Sequence, residues 1–300
     1  MMISGSHLRS LPVSVRILST VLLALLLVPH TAAGADRAKL ERPVMMDSNG
    51  PSTELYVLDD SGTLHKFNVS DNGLAEYGSF SVPQDFKAAD MSYDRSERSL
   101  LIAGTQSGQG LVARYSLDGK LLKTWGFQNV CSGIDSGSVN HTAYVATSDS
   151  NEIYKLDIEK PRITLIARIP SATKLGPVAY DDIRQEIYVA DVANGNIYQY
   201  SVATKHSRVF VTGFSAPAAL AFDAETNRLF VADPGRRGIF FVDTRASNPV
   251  AASFASEPLR SPFGLTLVSN GRVAVADYAA NGVFVFSSKG ELLFRFPAAK

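Results

Sequence analysis

The chain has 300 residues, with 29 Lys plus Arg against 29 Asp plus Glu, one cysteine, and hydrophobic residues making up 45%. That length is enough for one sizeable core. The balanced charge gives no basic field to draw in nucleic acid or an anionic membrane surface, and a single cysteine excludes an internal disulfide framework.

The first element is a leader. Arg9 and Arg16 give residues 1–35 a basic start, Ile17 to Val28 is an apolar run, and Ala33-Gly34-Ala35 has the small-x-small form of a secretory cleavage site. The alternative, an uncleaved anchor, is disfavoured by the shortness of the run and by Pro29 behind it. Residues 1–35 are therefore expected to be a signal peptide, and 36–300 a single exported domain, periplasmic or secreted, without a membrane span. Losing two Arg and no acid leaves the mature chain at net −2. Asn68-Val69-Ser70 and Asn140-His141-Thr142 are glycosylation sequons, with meaning only in a eukaryotic secretory route.

Beyond the leader, one apolar strand recurs six times: Leu55-Tyr56-Val57, Leu100-Leu101-Ile102, Ala143-Tyr144-Val145, Ile187-Tyr188-Val189, Leu229-Phe230-Val231 and Val273-Ala274-Val275. Val57, Ile102, Val145, Val189, Val231 and Val275 are separated by 45, 43, 44, 42 and 44 residues. A period of this size, holding several short strands, predicts a β-propeller. Unit four shows the grammar: Gly176 to Asp181, Glu186 to Asp191, Ile197 to Tyr200 and Arg208 to Val211, with turn residues between. The expected fold is all-β, a six-bladed β-propeller with four antiparallel strands per blade running in register from residue 43 to 296. No strand is borrowed between termini, so ring closure rests on packing of blade one against blade six.

The strand ends Tyr188-Val189-Ala190-Asp191, Phe230-Val231-Ala232-Asp233 and Val275-Ala276-Asp277, followed by Asn194-Gly195-Asn196 and Asn281-Gly282, resemble NHL repeats, whose fold is a six-bladed propeller. The region 41–300 is also similar to the gluconolactonase and senescence-marker propellers, which are calcium- or zinc-dependent lactonases. That resemblance implies a channel metal held by a Glu, two Asn and an Asp. Glu41, in Glu41-Arg42-Pro43-Val44, matches the Glu, but Ala89, Ser132 and Gly176 stand where the other three belong. Ala and Gly offer no side-chain ligand.

In a propeller the innermost strands line the channel, with every second residue inward. This alternation points Met45, Ser92, Asp135, Ala179, Ala221 and Thr266 to the axis, with Pro43, Asp90, Gly133, Pro177, Ala219 and Gly264 one step nearer the mouth. Glu41, Asp90 and Asp135 are the candidate oxygen ligands for Ca²⁺ or Zn²⁺, although they stand at different depths. The strand-end acids Asp59, Asp191, Asp233 and Asp277 read as turn residues that bind backbone N–H groups. The face where the inner strands begin carries Phe86, Lys87, Trp125, Phe127, Gln128, Asn129, Lys174, Phe214, Arg236, Arg237, Arg260 and Phe263, a mixture of aromatic and cationic groups suited to an organic anion or a protein. The competing reading packs its aromatics between blades. His65, His141 and His206 fall in different parts of their repeats, which argues against a three-histidine zinc site or a Ser-His-Asp triad. Cys131 reads as a packing residue.

The sequence thus predicts an exported, monomeric binding or scaffold module acting through its channel mouth, with Glu41, Asp90, Ser132, Asp135, Phe127, Arg236, Arg260 and Phe263 as candidate binding residues and a small organic anion or a protein as partner. The alternative is a divalent-metal hydrolase of lactonase type. The two differ in whether metal raises, and chelator lowers, the thermal midpoint.

Overall fold

The computed structural model describes residues 39–50, 53–137 and 141–297. The expected signal peptide and the Asn140 sequon position lie outside them. The described residues form six four-stranded antiparallel sheets, each built from four consecutive strands. This is the expected six-bladed β-propeller. Besides strands and turns there are only two short 3₁₀ segments among the described residues, Pro234–Arg236 and Ser269–Gly271, and no helix there is long and apolar enough to cross a membrane.

The recurring apolar run is the second strand of each blade, which is covered on both faces. In blade one, Leu55 and Val57 face blade six, where Ala274, Ala276, Val283 and Val285 bury them. Their neighbours Tyr56 and Leu58 point the other way, into Leu100, Ile102, Ala113 and Tyr115 of blade two. The two-residue strand period thus sends alternate side chains into the two flanking interfaces. Four-stranded sheets of this size cannot cover themselves; the ring covers all six of them.

Closure occurs without strand exchange. Phe67 of blade one meets Phe296 of blade six edge-on at 4.9 Å between centroids. Thr266 Oγ1 donates to Asp47 Oδ1 at 2.8 Å, and the Ser48 hydroxyl donates to the Leu267 carbonyl. Further out, Arg42 N donates to Asn281 Oδ1 at 2.6 Å, and Arg272 pairs with Asp71.

The innermost strands are Pro43–Ser48, Phe86–Asp94, Cys131–Ser136, Leu175–Asp181, Ala219–Asp223 and Pro262–Val268. Their pairing with the second strands slips near the mouth in every blade but the fifth. Such bulges re-aim side chains at a barrel rim. They also set which residues face the axis.

Candidate functional site

The inner strands enclose a channel of about 1010 Å³, whose lining includes Asp47, Asp90, Asp135, Ser92, Ser136 and Thr266, with Ala219 and Ala221 of blade five among the rest of the wall. Asp47 is the residue that the sequence reading missed. It pairs across its blade with Tyr56, as Ser92 pairs with Leu101 and Asp135 with Tyr144. The expected occupant of that level, Met45, stands two residues nearer the mouth, because the ladder slips between Pro43 and Met45.

These carboxylates are engaged with backbone of the next blade. Asp47 Oδ2 accepts the Tyr93 N–H at 2.7 Å, Asp90 Oδ2 accepts the Ile134 N–H at 3.0 Å, and Asp135 Oδ2 accepts the Tyr180 N–H at 2.7 Å. Asp47 thus reaches from blade one to two, Asp90 from two to three, and Asp135 from three to four. Hydroxyls extend the seam: Ser136 N donates to Ser92 Oγ at 3.0 Å and Ser136 Oγ to the Tyr93 carbonyl at 2.8 Å. Burial raises all three acids above the ordinary carboxylate range. Asp90 is pushed up to about 7, against the pull of the Ile134 and Met91 N–H groups. Asp135 goes well above that range through burial and the nearby Asp47, and Asp47 is raised chiefly by burial.

Glu41 does not join this group. It is exposed, and it lines a separate notch at the seam of blades one and six with Arg42, Asp60, Tyr278 and Asn281. Ser132 is half-buried and its Oγ donates to Ala146 O of its own blade at 3.2 Å. The donor set implied by the lactonase resemblance therefore does not fit a metal centre here: Glu41 lies apart, Ser132 is turned to its own sheet, and Ala89 and Gly176 bring no ligand.

At the mouth, the strand-end aspartates organise the rim loops. Asp191 accepts N–H groups from Thr173 and Lys174, Asp233 from Ser215, Ala216 and Arg236, and Asp277 from Arg260, Ser261 and Ala280. Each is fully buried and ties the loop entering its blade to the loop between its second and third strands. Asp59 does the same for Glu41, Ser61 and Thr63. These acids are turn residues, as the sequence suggested.

Asp59 has one further partner. His65 is fully buried, with Nε2 3.1 Å from Asp59 Oδ2 and Nδ1 2.8 Å from Glu76 Oε1. Burial alone would lower the imidazole; the two acids hold it above its usual value. Burial likewise opposes the charge on Asp59, but hydrogen bonds from His65, Ser61 and the Glu41 N–H hold it below the usual range. The sequence pattern placed His65 in a third strand without showing this pairing.

The rim aromatics divide. Phe86, Trp125, Phe127 and Phe214 are buried between blades, Phe127 lying edge-on to Tyr154 at 5.5 Å. Phe263 is 40% exposed at the channel mouth, edge-on to Tyr278. Arg236 is exposed, with its guanidinium 3.9 Å from the Phe240 ring centroid and Nη1 donating to Gly213 O at 3.3 Å. Arg260 is exposed and held at the rim through its backbone. Cys131 is buried, and burial pushes its thiol up to about 12, which makes it inert as a nucleophile.

The fold and site define a six-bladed propeller with a stitched acidic channel and a fixed, mixed cationic and aromatic rim. No protein-family model matches the chain, and no curated protein does. Among solved structures it is similar to a structural-genomics protein of unknown function from Bacteroides thetaiotaomicron, at TM-score 0.65 and 13% identity over 82% of this chain and 69% of that one. It is also similar to a chain of a nidogen/laminin complex, at TM-score 0.67 and 14% identity over 79% of this chain and 90% of that one. At such identity these likenesses concern the fold.

Proposed function

We propose that the protein is an exported propeller of NHL type that serves as a binding or scaffold module through its channel mouth. The observation that carries this reading is the division of labour among polar groups. The channel acids are spent on backbone N–H groups of neighbouring blades, whereas the rim holds exposed Arg236 and Arg260 on loops fixed from beneath by buried aspartates, beside Phe263 at the start of an inner strand. A rigid rim carrying exposed cationic and aromatic groups suits recognition of a protein or an organic anion. The nidogen/laminin likeness is in keeping with a protein partner. The leader pattern in residues 1–35 supports export. The hydrolase reading has less behind it, since its matched Glu41 stands apart from Asp90 and Asp135.

A photo-crosslinking residue at Phe263, in the full chain expressed in its own host, tests this. The expected result is a discrete adduct from position 263 and none from exposed Val209 on an outermost strand. Adducts from Val209 alone, or equally from both, contradict a binding face at the mouth.

A further inference from the structure

The rim is electrically lopsided, although the chain as a whole is neutral. Over blades four to six its loops expose Lys174, Arg236, Arg237 and Arg260, against Glu257 as the one exposed acid among the described residues of those loops. Asp191, Asp233 and Asp277 lie beneath this sector, but they are buried and occupied by N–H donors. Over blades one to three, Lys39, Arg42 and Lys87 are matched by Glu41, Asp60, Asp85 and Asp149.

The cations of the basic sector also lack an acidic partner among the described residues. Elsewhere arginines find acids: Arg42 with Asp60, Arg114 with Glu97, Arg168 with Glu152, Arg184 with Asp181 and Arg272 with Asp71. Among the described residues, the side chains of Lys174, Arg237 and Arg260 form no ion pair.

Arg237 carries a second anomaly. The residue before each third strand adopts positive φ in all six blades: Gly62, Gly108, Asn151, Gly195, Arg237 and Asn281. Glycine and asparagine suit the left-handed region; arginine does not. At φ 53 the Arg237 N–H donates to Pro234 O at 3.2 Å and closes the turn, while its exposed side chain forms no ion pair among the described residues.

We propose that the rim over blades four to six binds an extended acidic segment of a protein partner, with Phe263 receiving an apolar side chain next to the carboxylates. This rests on the mouth being the binding face. Four cations spread over the loops of three blades call for an extended ligand rather than a single small anion. The matched acids on the other half-rim repel a long uniform polyanion, so a short acidic stretch fits better than nucleic acid.

The test is fluorescence anisotropy on the purified full chain with three labelled probes: a peptide alternating Glu and Ser with one Leu, the same peptide with Gln for Glu, and an oligothymidylate. The Glu peptide should bind best and weaken with added salt. The pair Arg237→Asn and Arg260→Ser should cost about tenfold or more in affinity without lowering the thermal midpoint, since Asn already occupies the equivalent turn at positions 151 and 281. Lys39→Ser with Lys87→Ser should leave binding unchanged. Equal binding of the Glu and Gln peptides, tighter binding of the oligothymidylate, or indifference to the arginine pair overturns the proposal. If the Gln peptide binds as well and Phe263→Ser abolishes it, the mouth stands as a binding face and only the acidic partner falls. If position 263 also yields no adduct, both readings fall.

Discussion

Asp47 of blade one accepts the backbone N–H of Tyr93 in blade two at 2.7 Å, and Asp135 of blade three accepts that of Tyr180 in blade four at the same distance. Equivalent positions on two blades use one device to fix the next inner strand. Asp47→Ala removes the acceptor and leaves a buried N–H unpaired, so unfolding free energy should fall by about 1–3 kcal/mol. Denaturant titration measures this, and an unchanged midpoint would show that the bond contributes nothing.

The stitching acids should also make stability depend on pH. Asp90 titrates at about 7 in the fold against 3.8 as its reference. For a raised value, the contribution is fully present below the unfolded pKa and is lost as pH rises through the folded one. Native protein should therefore lose thermal stability relative to Asp90→Asn as pH goes from about 4 to 7. A gap between the two proteins that is constant over this range would mean that Asp90 is not raised.

His65 works with the opposite sign on its partner. Asp59, held low, adds stability that is lost as pH falls through its depressed value, and His65, held high, adds stability that is lost as pH rises through its raised value. His65→Leu leaves Asp59 and Glu76 buried without their cation and should cost about 3 kcal/mol near neutrality. The deficit should shrink on the alkaline side; pH-resolved chemical denaturation shows whether it does.

The proposed leader makes a chemical prediction. Mass spectrometry of the protein recovered from its own host should find a mature N-terminus close to Ala35. Recovery of intact Met1 at the membrane would favour the anchor reading instead.

The six-fold repeat was legible because the second strand of every blade is buried on both faces, so Leu55 to Val275 recur as unbroken apolar runs. The inner strands were harder. Counting ten residues back from Val57, Ile102 and Val145 lands on Asp47, Ser92 and Asp135, so the constant offset held the signal for Asp47. Taking Pro43 as the mouth layer hid it, since alternation cannot show a bulge. Glu41 matched a motif by local sequence, yet its place depends on how the entering segment crosses the rim, which no repeat specifies. The burial of Phe127 and the exposure of Phe263 follow from blade-to-blade packing, also invisible to strand period.

The central claim is that the channel acids hold blades together and leave recognition to the rim. Amide hydrogen exchange at Tyr93, Ile134 and Tyr180, with and without added Ca²⁺, tests it most directly. The account predicts three slowly exchanging amides that ignore the cation. Fast exchange at these amides, or a shared change when Ca²⁺ is added, would contradict it.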